Sequence, residues 1–323
     1  QPSEEEEEEV EDTDANSSNL NKQIARRKKA TPQTQEDTDE EEEIIIGKRK
    51  KSEGLSGKVA EEEEESLDPV IQILNAIDKN DLERDENGNI LMFKDPVTGE
   101  ETHYLIKGDK FERVTSKTSP PFTGDAQLQK SSSTAGKTVH SVAEDFLMGR
   151  PAKRPANMTA TAYLSLITQL NAIKQSITDK KQTVIAAEMV VYKEELGLAG
   201  KFDILTKDRK GNYYLYDIKT GKETTLADYE EAKYDNPSKR QQHGSQLSAY
   251  AYMLRGHAMD NNLNIKIGGA TVLFIPISYD IDGKIDRVSK FAEKNFTLNY
   301  NIDKVLAGEV DFSFKEAKKS SDP

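Results

Sequence analysis

The chain of 323 residues has no cysteine. Disulfides, iron–sulfur clusters and thiolate zinc sites are therefore excluded, and a reducing compartment fits. No apolar run reaches the roughly 18 residues that a transmembrane helix needs, so no membrane partner is expected. The start at Gln1 shows no signal-peptide pattern. A first residue other than Met leads us to expect a chain trimmed or cut from a longer one. Hydrophobic residues are also sparse, at 35% against 32% charged, a low share for a chain folded throughout.

The charge that is present is unevenly placed. The formal net charge is −13, and residues 1–66 alone hold 22 acidic and 10 basic side chains. The remainder is nearly neutral. Net charge thus speaks neither for nor against a nucleic-acid partner, and only a local basic patch could. Runs such as "SEEEEEEVEDTD" and "AEEEEE" alternate with "ARRKK". They offer too little apolar surface to offset the entropy of ordering the backbone. We read 1–66 as a disordered acidic tail or linker, with an interaction tail or an acidic competitor for a basic groove as the sharper reading.

Order begins near Leu67–Ile77, "LDPVIQILNAI", a short amphipathic helix. Asn89–Phe93 and Glu101–Ile106 flank the turn signal "KDPVTGE" and read as a β-hairpin. "DKFERVTSKTSPPF" is a strand running into a Pro-rich loop, and 124–135, "GDAQLQKSSSTA", a flexible connection. Residues 67–135 therefore form an N-terminal helix, hairpin and connecting loop, 136–315 the core, and 316–323 a C-terminal tail. In the core a helix starts near Gly136, with Val139, Val142, Ala143, Phe146 and Leu147 at helical spacing. A second helix spans about 160–177. Strands follow at Thr183–Tyr192, Gly200–Thr206 and Asn212–Thr220, the last two joined by a turn at Lys210-Gly211-Asn212. A helix at Arg240–Leu254, a strand at 270–278 and a short helix at Asn301–Ala307 complete the chain. The fold class is α/β, a central mixed sheet flanked by helices.

One stretch poses a chemical question. "NYYLYDIKTGK" ends a bulky strand in Asp217, Ile218 and Lys219. Side chains alternate along a strand, so Asp217 and Lys219 share a face while Tyr216, Ile218 and Thr220 take the other. In "GKFDILT", Phe202 and Ile204 share one face, Asp203 and Leu205 the other. If the two strands pair, two carboxylates converge beside a lysine. Clustered carboxylates repel one another unless a cation lies among them. Mg²⁺ suits such a site, and a nearby lysine can position or deprotonate water and offset developing negative charge. These are the parts of metal-dependent phosphodiester cleavage. Without further context the plainer reading is a solvated sheet face or a guarded edge. His140 with Glu144, and Gln246 with Tyr250, are each four apart and share a helix face. Lys239 and Arg240, just before the later helix, are candidates for phosphate contact. "AGKT" (135–138) is not a P-loop, because Ser131 stands where the pattern needs its first Gly.

In order, "GKTVHSVAE", "GKFD", "YDIKTG" and "QLSAY" resemble the RecB-like branch of the PD-(D/E)XK nuclease superfamily, over roughly residues 100–280. "RVTS" (113–116) resembles the segment that precedes the His helix in phage-type members. The resemblance implies the restriction-endonuclease-like core. It implies a Mg²⁺ or Mn²⁺ held by Asp203, Asp217, His140 and the backbone carbonyl of Ile218, with Lys219 catalytic. Gln246 and Tyr250 would orient Lys219 or contact the substrate strand. Glu188 would stand behind the ligands or as a secondary metal residue, with Glu144 behind His140. The proline of the family name is absent, since Phe202 precedes Asp203, and so are the cluster cysteines of some branch members.

The function implied is a DNA exonuclease module of a larger replication, repair or phage protein, hydrolysing phosphodiesters by in-line attack of water. Its expected place is the cytoplasm of a bacterial or phage-infected cell, or the virion. A nuclease-fold binding or scaffolding module would bind nucleic acid without metal-dependent turnover. An RNA endonuclease of the cap-cleaving type would prefer single-stranded RNA.

Overall fold

A computed structural model describes residues 67–96, 101–119, 125–229 and 237–312. The readings of 1–66 and 316–323, of the turn centred on 97–100 and of the Pro-rich loop at 120–124 lie outside these residues. Asp68 caps the first helix, α1 (Pro69–Asn80), its carboxylate accepting from Val70 N–H, with Pro69 opening the helix. An antiparallel meander follows: β1 (Met92–Lys94), β2 (Glu101–Ile106) and β3 (Asp109–Arg113). A single helical turn, α2 (Val114–Thr118), leads from β3 toward α3 (Ala126–Leu147).

The structure differs from the sequence reading at 124–135. Asp125 accepts from Gln127 and Leu128 N–H and starts α3 there, so position 136 falls inside one helix. The Ser-rich stretch is helical because Ser131 and Ala135 bury in line with Val139. Small side chains let this half of the helix approach its neighbours closely. Helix α4 (Ala160–Asp179) buries Leu166, Leu170, Ile173 and Ile177, at helical spacing. Each such side chain contributes about 1.5–3 kcal/mol on leaving water.

The remaining elements are β4 (Gln182–Lys193), β5 (Leu198–Asp208), β6 (Tyr213–Gly221), α5 (Glu223–Ala227), α6 (Lys239–Asp260), β7 (Ile267–Tyr279), β8 (Ile285–Val288), β9 (Ala292–Phe296) and α7 (Ile302–Leu306). The strands form one mixed sheet flanked by helices. Its order is β1-β2-β3-β5-β6-β7-β8, with β4 on β5 and β9 on β7. Strands β5 and β6 pair antiparallel as the turn at 210–212 requires, and β6 pairs parallel with β7. Helices α3 and α4 cover one face, over Ile204, Tyr216, Ile218, Leu273 and Ile275. Helix α6 covers the other, over Phe202, Leu205, Leu215, Val272 and Phe274. Among the described residues no helix is long and apolar enough to cross a membrane.

Alternation breaks within β5. Phe202 packs with Leu205 in the α6 layer, while Ile204 packs in the α3–α4 layer. Phe202 and Ile204 therefore do not share a face as strict alternation predicts. The irregularity is centred on Asp203.

Candidate active site

The site opens where β5 lacks a neighbour. On one edge of β5, β3 pairs only with Leu198 and Ala199, and β6 only from Ile204 onward. Residues 200–203 lie between the two. There the Asp203 carboxylate stands in for a missing ladder carbonyl and accepts Ile218 N–H at 2.5 Å. On the other edge, Glu188 of β4 lies level with Asp203 and has φ +56°. A non-glycine residue in the left-handed region within a strand is strained. Here the strain brings a carboxylate to the same point.

Ligand atoms of His140, Glu188 and Asp203 all lie within 4.8 Å of one another. His140 Nδ1 is 3.4 Å from Asp203 Oδ1 and 3.8 Å from Glu188 Oε1. Lys201 pairs with Glu188. Asp217 is only 1% exposed and Asp203 6%. Lys219 Nζ approaches Asp217 Oδ2 to 2.6 Å, yet that oxygen receives no well-aligned hydrogen bond. Gln246 Nε2 donates to Tyr250 Oη at 2.9 Å and lies 3.4 Å from Asp217 Oδ1. The Gln246–Tyr250 pair thus reaches Asp217, the partner of Lys219. Gly200 makes room for it, since a Cβ there would come within 2.3 Å of Tyr250 Cε1.

The electrostatics follow from burial and proximity. Burial, with the charge of Asp203 adding and Lys219 opposing, pushes the Asp217 carboxyl up to about 6. Burial would raise Asp203 too, but the charge of His140, its hydrogen bond, Lys219 and Ile218 N–H together hold it low. Burial opposes the charge on His140, but Asp203 and Glu188 outweigh it and raise it to about 10. Burial likewise opposes the Lys219 ammonium, and Asp217 and Asp203 outweigh it. Three carboxylates, Glu188, Asp203 and Asp217, are thus met here by His140, Lys201 and Lys219. The buried Asp217 carboxylate and the convergent His140, Glu188 and Asp203 fit a hard divalent cation.

The other expected residues are placed differently. Glu144 lines the same cleft, but its carboxylate pairs with Arg150 at 2.5 Å. Lys239 is exposed at the start of α6 and bonds Gln242 Oε1 at 3.1 Å. Desolvation, then the charge of Lys219, lowers its pKa. Arg240 is a correction. It is 5% exposed, donates to the carbonyls of Phe312 and Asn295, and lies 4.6 Å from the Phe296 ring centroid. A guanidinium held this way ties the C-terminal segment to α6 and is not free to meet a phosphate.

The cleft over the site has a volume of about 1320 Å³. It is also lined by residues that sequence reasoning missed: Lys94, Tyr104, Arg113, Lys130, Lys137 and Lys201. Lys201 had a signal, because alternation puts it on the face of Asp203. Lys130 has none, because the composition of 124–135 reads as a flexible connection.

With this geometry in view, comparison with known proteins gives one clear result. The family model of the PD-(D/E)XK nuclease superfamily matches residues 111–296, from β3 to β9 and more than half of the chain. The chain belongs to that superfamily, whose chemistry is metal-dependent hydrolysis of phosphodiesters. No curated protein matches it. A solved structure described as "Crystal structure of SSO0001" is 10% identical over 54% of this chain and 82% of its own, with a TM-score of 0.23.

Proposed function

We propose that this chain is a Mg²⁺- or Mn²⁺-dependent DNA exonuclease of the RecB-like branch, a module of a larger replication, repair or phage protein. The observation that carries the reading is Asp217, a buried carboxylate paired with Lys219 and next to the His140–Glu188–Asp203 cluster. A cluster kept only for packing has no need of three like charges.

Asp203, Asp217, His140 and the Ile218 carbonyl would hold the cation, with Glu188 joining them. When bound, the cation lowers the pKa of water and polarises the phosphoryl oxygens. The protein's own groups do the rest. Lys219, kept as an ammonium by its two carboxylate neighbours, orients the attacking water and offsets charge on the phosphorane-like transition state. Gln246, anchored by Tyr250, fixes the orientation of Asp217. Lys201 steadies Glu188 in its strained conformation. Lys239, exposed beside the site, contacts a phosphate.

The test is cleavage of end-labelled linear duplex, single-stranded DNA and single-stranded RNA, with Mg²⁺, Mn²⁺ or EDTA. Metal-dependent cleavage lost in Asp217→Ala and Lys219→Ala supports the reading, and a ladder running from one end supports exonuclease action. Cleavage unchanged in either variant would sink it.

A further inference from the structure

The cleft has two chemically different walls over its acidic floor. One wall is a face of α3. Lys130, Ser133, Lys137 and Ser141 recur along it at helical spacing and line the cleft, the two lysines exposed. The other wall comes from the meander and the segment before it. There Ile90 and Met92 are half-buried and line the cleft, with Tyr104 deeper among them. One side is thus cationic and hydrogen-bonding, the other carries an apolar patch, Ile90 and Met92, flanked by Lys94, Glu101 and Arg113, and the carboxylates line the same cleft.

We infer that the cleft takes a single strand of nucleic acid, its phosphates along α3 and its unpaired bases against Ile90 and Met92. This inference rests on the nuclease reading of the same site.

Three physical points support it. Single-strand grooves pair a basic track with side chains that meet the faces of unpaired bases, aromatic ones most strongly, and Ile90 and Met92 offer the aliphatic counterpart. In a duplex those faces are already stacked, and only charged backbone would meet Ile90 and Met92. Burying phosphate directly against the Ile90 and Met92 side chains costs free energy, because neither offers it a bond. Size points the same way. At about 1320 Å³ the cleft only modestly exceeds the roughly 300–1,000 Å³ pockets that hold drug-sized ligands. It has room for a few nucleotides. Asp203 and Asp217 lie nearly buried at its floor, so the scissile phosphate must descend between the walls.

The test uses the full chain in EDTA, so that no substrate is consumed. Fluorescence anisotropy is read with labelled single-stranded DNA and single-stranded RNA of about twelve nucleotides, within the usual site size, and with the matching duplex. The inference expects a single strand, of whichever sugar, to bind at least about tenfold more tightly than duplex. Comparing the two single strands identifies the sugar. Lys130→Ala with Lys137→Ala should weaken single-strand binding and lower the salt slope by about 0.7 per lysine. Met92→Ala should lose several-fold on the single strand and nothing on the duplex, with Met92→Leu restoring it.

Duplex bound as tightly as single strand, no binding of any probe, or lysine and methionine variants without effect would each overturn the inference. Cleavage by wild type and Asp217→Ala with Mn²⁺, run alongside, keeps the two readings apart. Duplex preference with Asp217-dependent cleavage defeats only the single-strand inference. Single-strand preference with cleavage unaffected by Asp217→Ala defeats only the nuclease reading.

Discussion

Asp217 is a carboxylate that the fold buries with the Lys219 ammonium against Oδ2, and a proton and a metal compete for a group so placed. The sign of the competition is fixed by the raised pKa values. Below about 6 Asp217 is protonated, and below about 10 His140 carries its proton. A cation must displace both protons at pH 5 and chiefly that of His140 at pH 8, because ligands bind metals deprotonated. The Kd for Mn²⁺ in calorimetry should therefore fall steadily from pH 5 to 8, more steeply below 6. A pH-independent Kd would show that neither residue is a ligand. Gly200 makes a second prediction at this scale. A methyl at this position would strike the Tyr250 ring, which anchors Gln246 against Asp217. Displacement of catalytic groups by about 1 Å costs on the order of a hundredfold in rate. Gly200→Ala should lower kcat by that order while the protein still melts cooperatively. A kcat within twofold of wild type would show that Tyr250 has no positioning role.

At the scale of elements, α6 carries two adjacent cations with opposite fates. Arg240 is bound to the Phe312 and Asn295 carbonyls, and Lys239 is exposed. Arg240→Ala leaves buried carbonyls without a donor and should cost about 3 kcal/mol in urea denaturation, with the salt dependence of nucleic-acid binding unchanged. Lys239→Ala should do the reverse: stability within about 0.5 kcal/mol and a salt slope shallower by about 0.7–0.9. If Arg240→Ala flattens the salt slope, its burial is not what keeps it from the phosphates. The same pair shows what a sequence can and cannot disclose. Alternation put Asp217 and Lys219 on one face, and helical spacing joined Gln246 to Tyr250, because both relations are local. The partners of Arg240 lie 55 and 72 positions away, so nothing nearby marks it as buried. Glu188 was visible as a mid-strand acid, but its left-handed backbone has no signature in "VIAAEMVVY". The slip between Phe202 and Ile204 arises from β3 and β6 leaving β5 unpaired, a tertiary event. The N-terminal half of α3 was lost because Ser-rich composition reads as linker unless one knows that a sheet lies close enough to need small residues.

For the whole folded unit, the proposed cation site joins elements that are far apart in sequence. His140 comes from α3, Glu188 from β4, Asp203 from β5, and Asp217 with Lys219 from β6. Unfolding separates all four segments, so a cation that binds the folded state must stabilise the whole unit by mass action. At a hundred times Kd the gain is about 2.7 kcal/mol. For a folded unit of this size that corresponds to roughly 5–10 °C in Tm. Thermal melts in Mn²⁺ and in EDTA should therefore differ by that amount, and the difference should grow with the logarithm of metal concentration. The sign of the substitution effect is equally determined. Asp203→Asn removes one like charge from a crowded cluster, so its melt in EDTA should shift little, the lost Asp203–His140 pairing offsetting the relieved repulsion with Glu188 and Asp217. In Mn²⁺ the same variant should lose most of the metal-induced rise. A rise in Tm that survives Asp203→Asn would mean that the cation stabilises the protein from somewhere other than the break in β5, and the assignment of that break as the catalytic centre would fall with it.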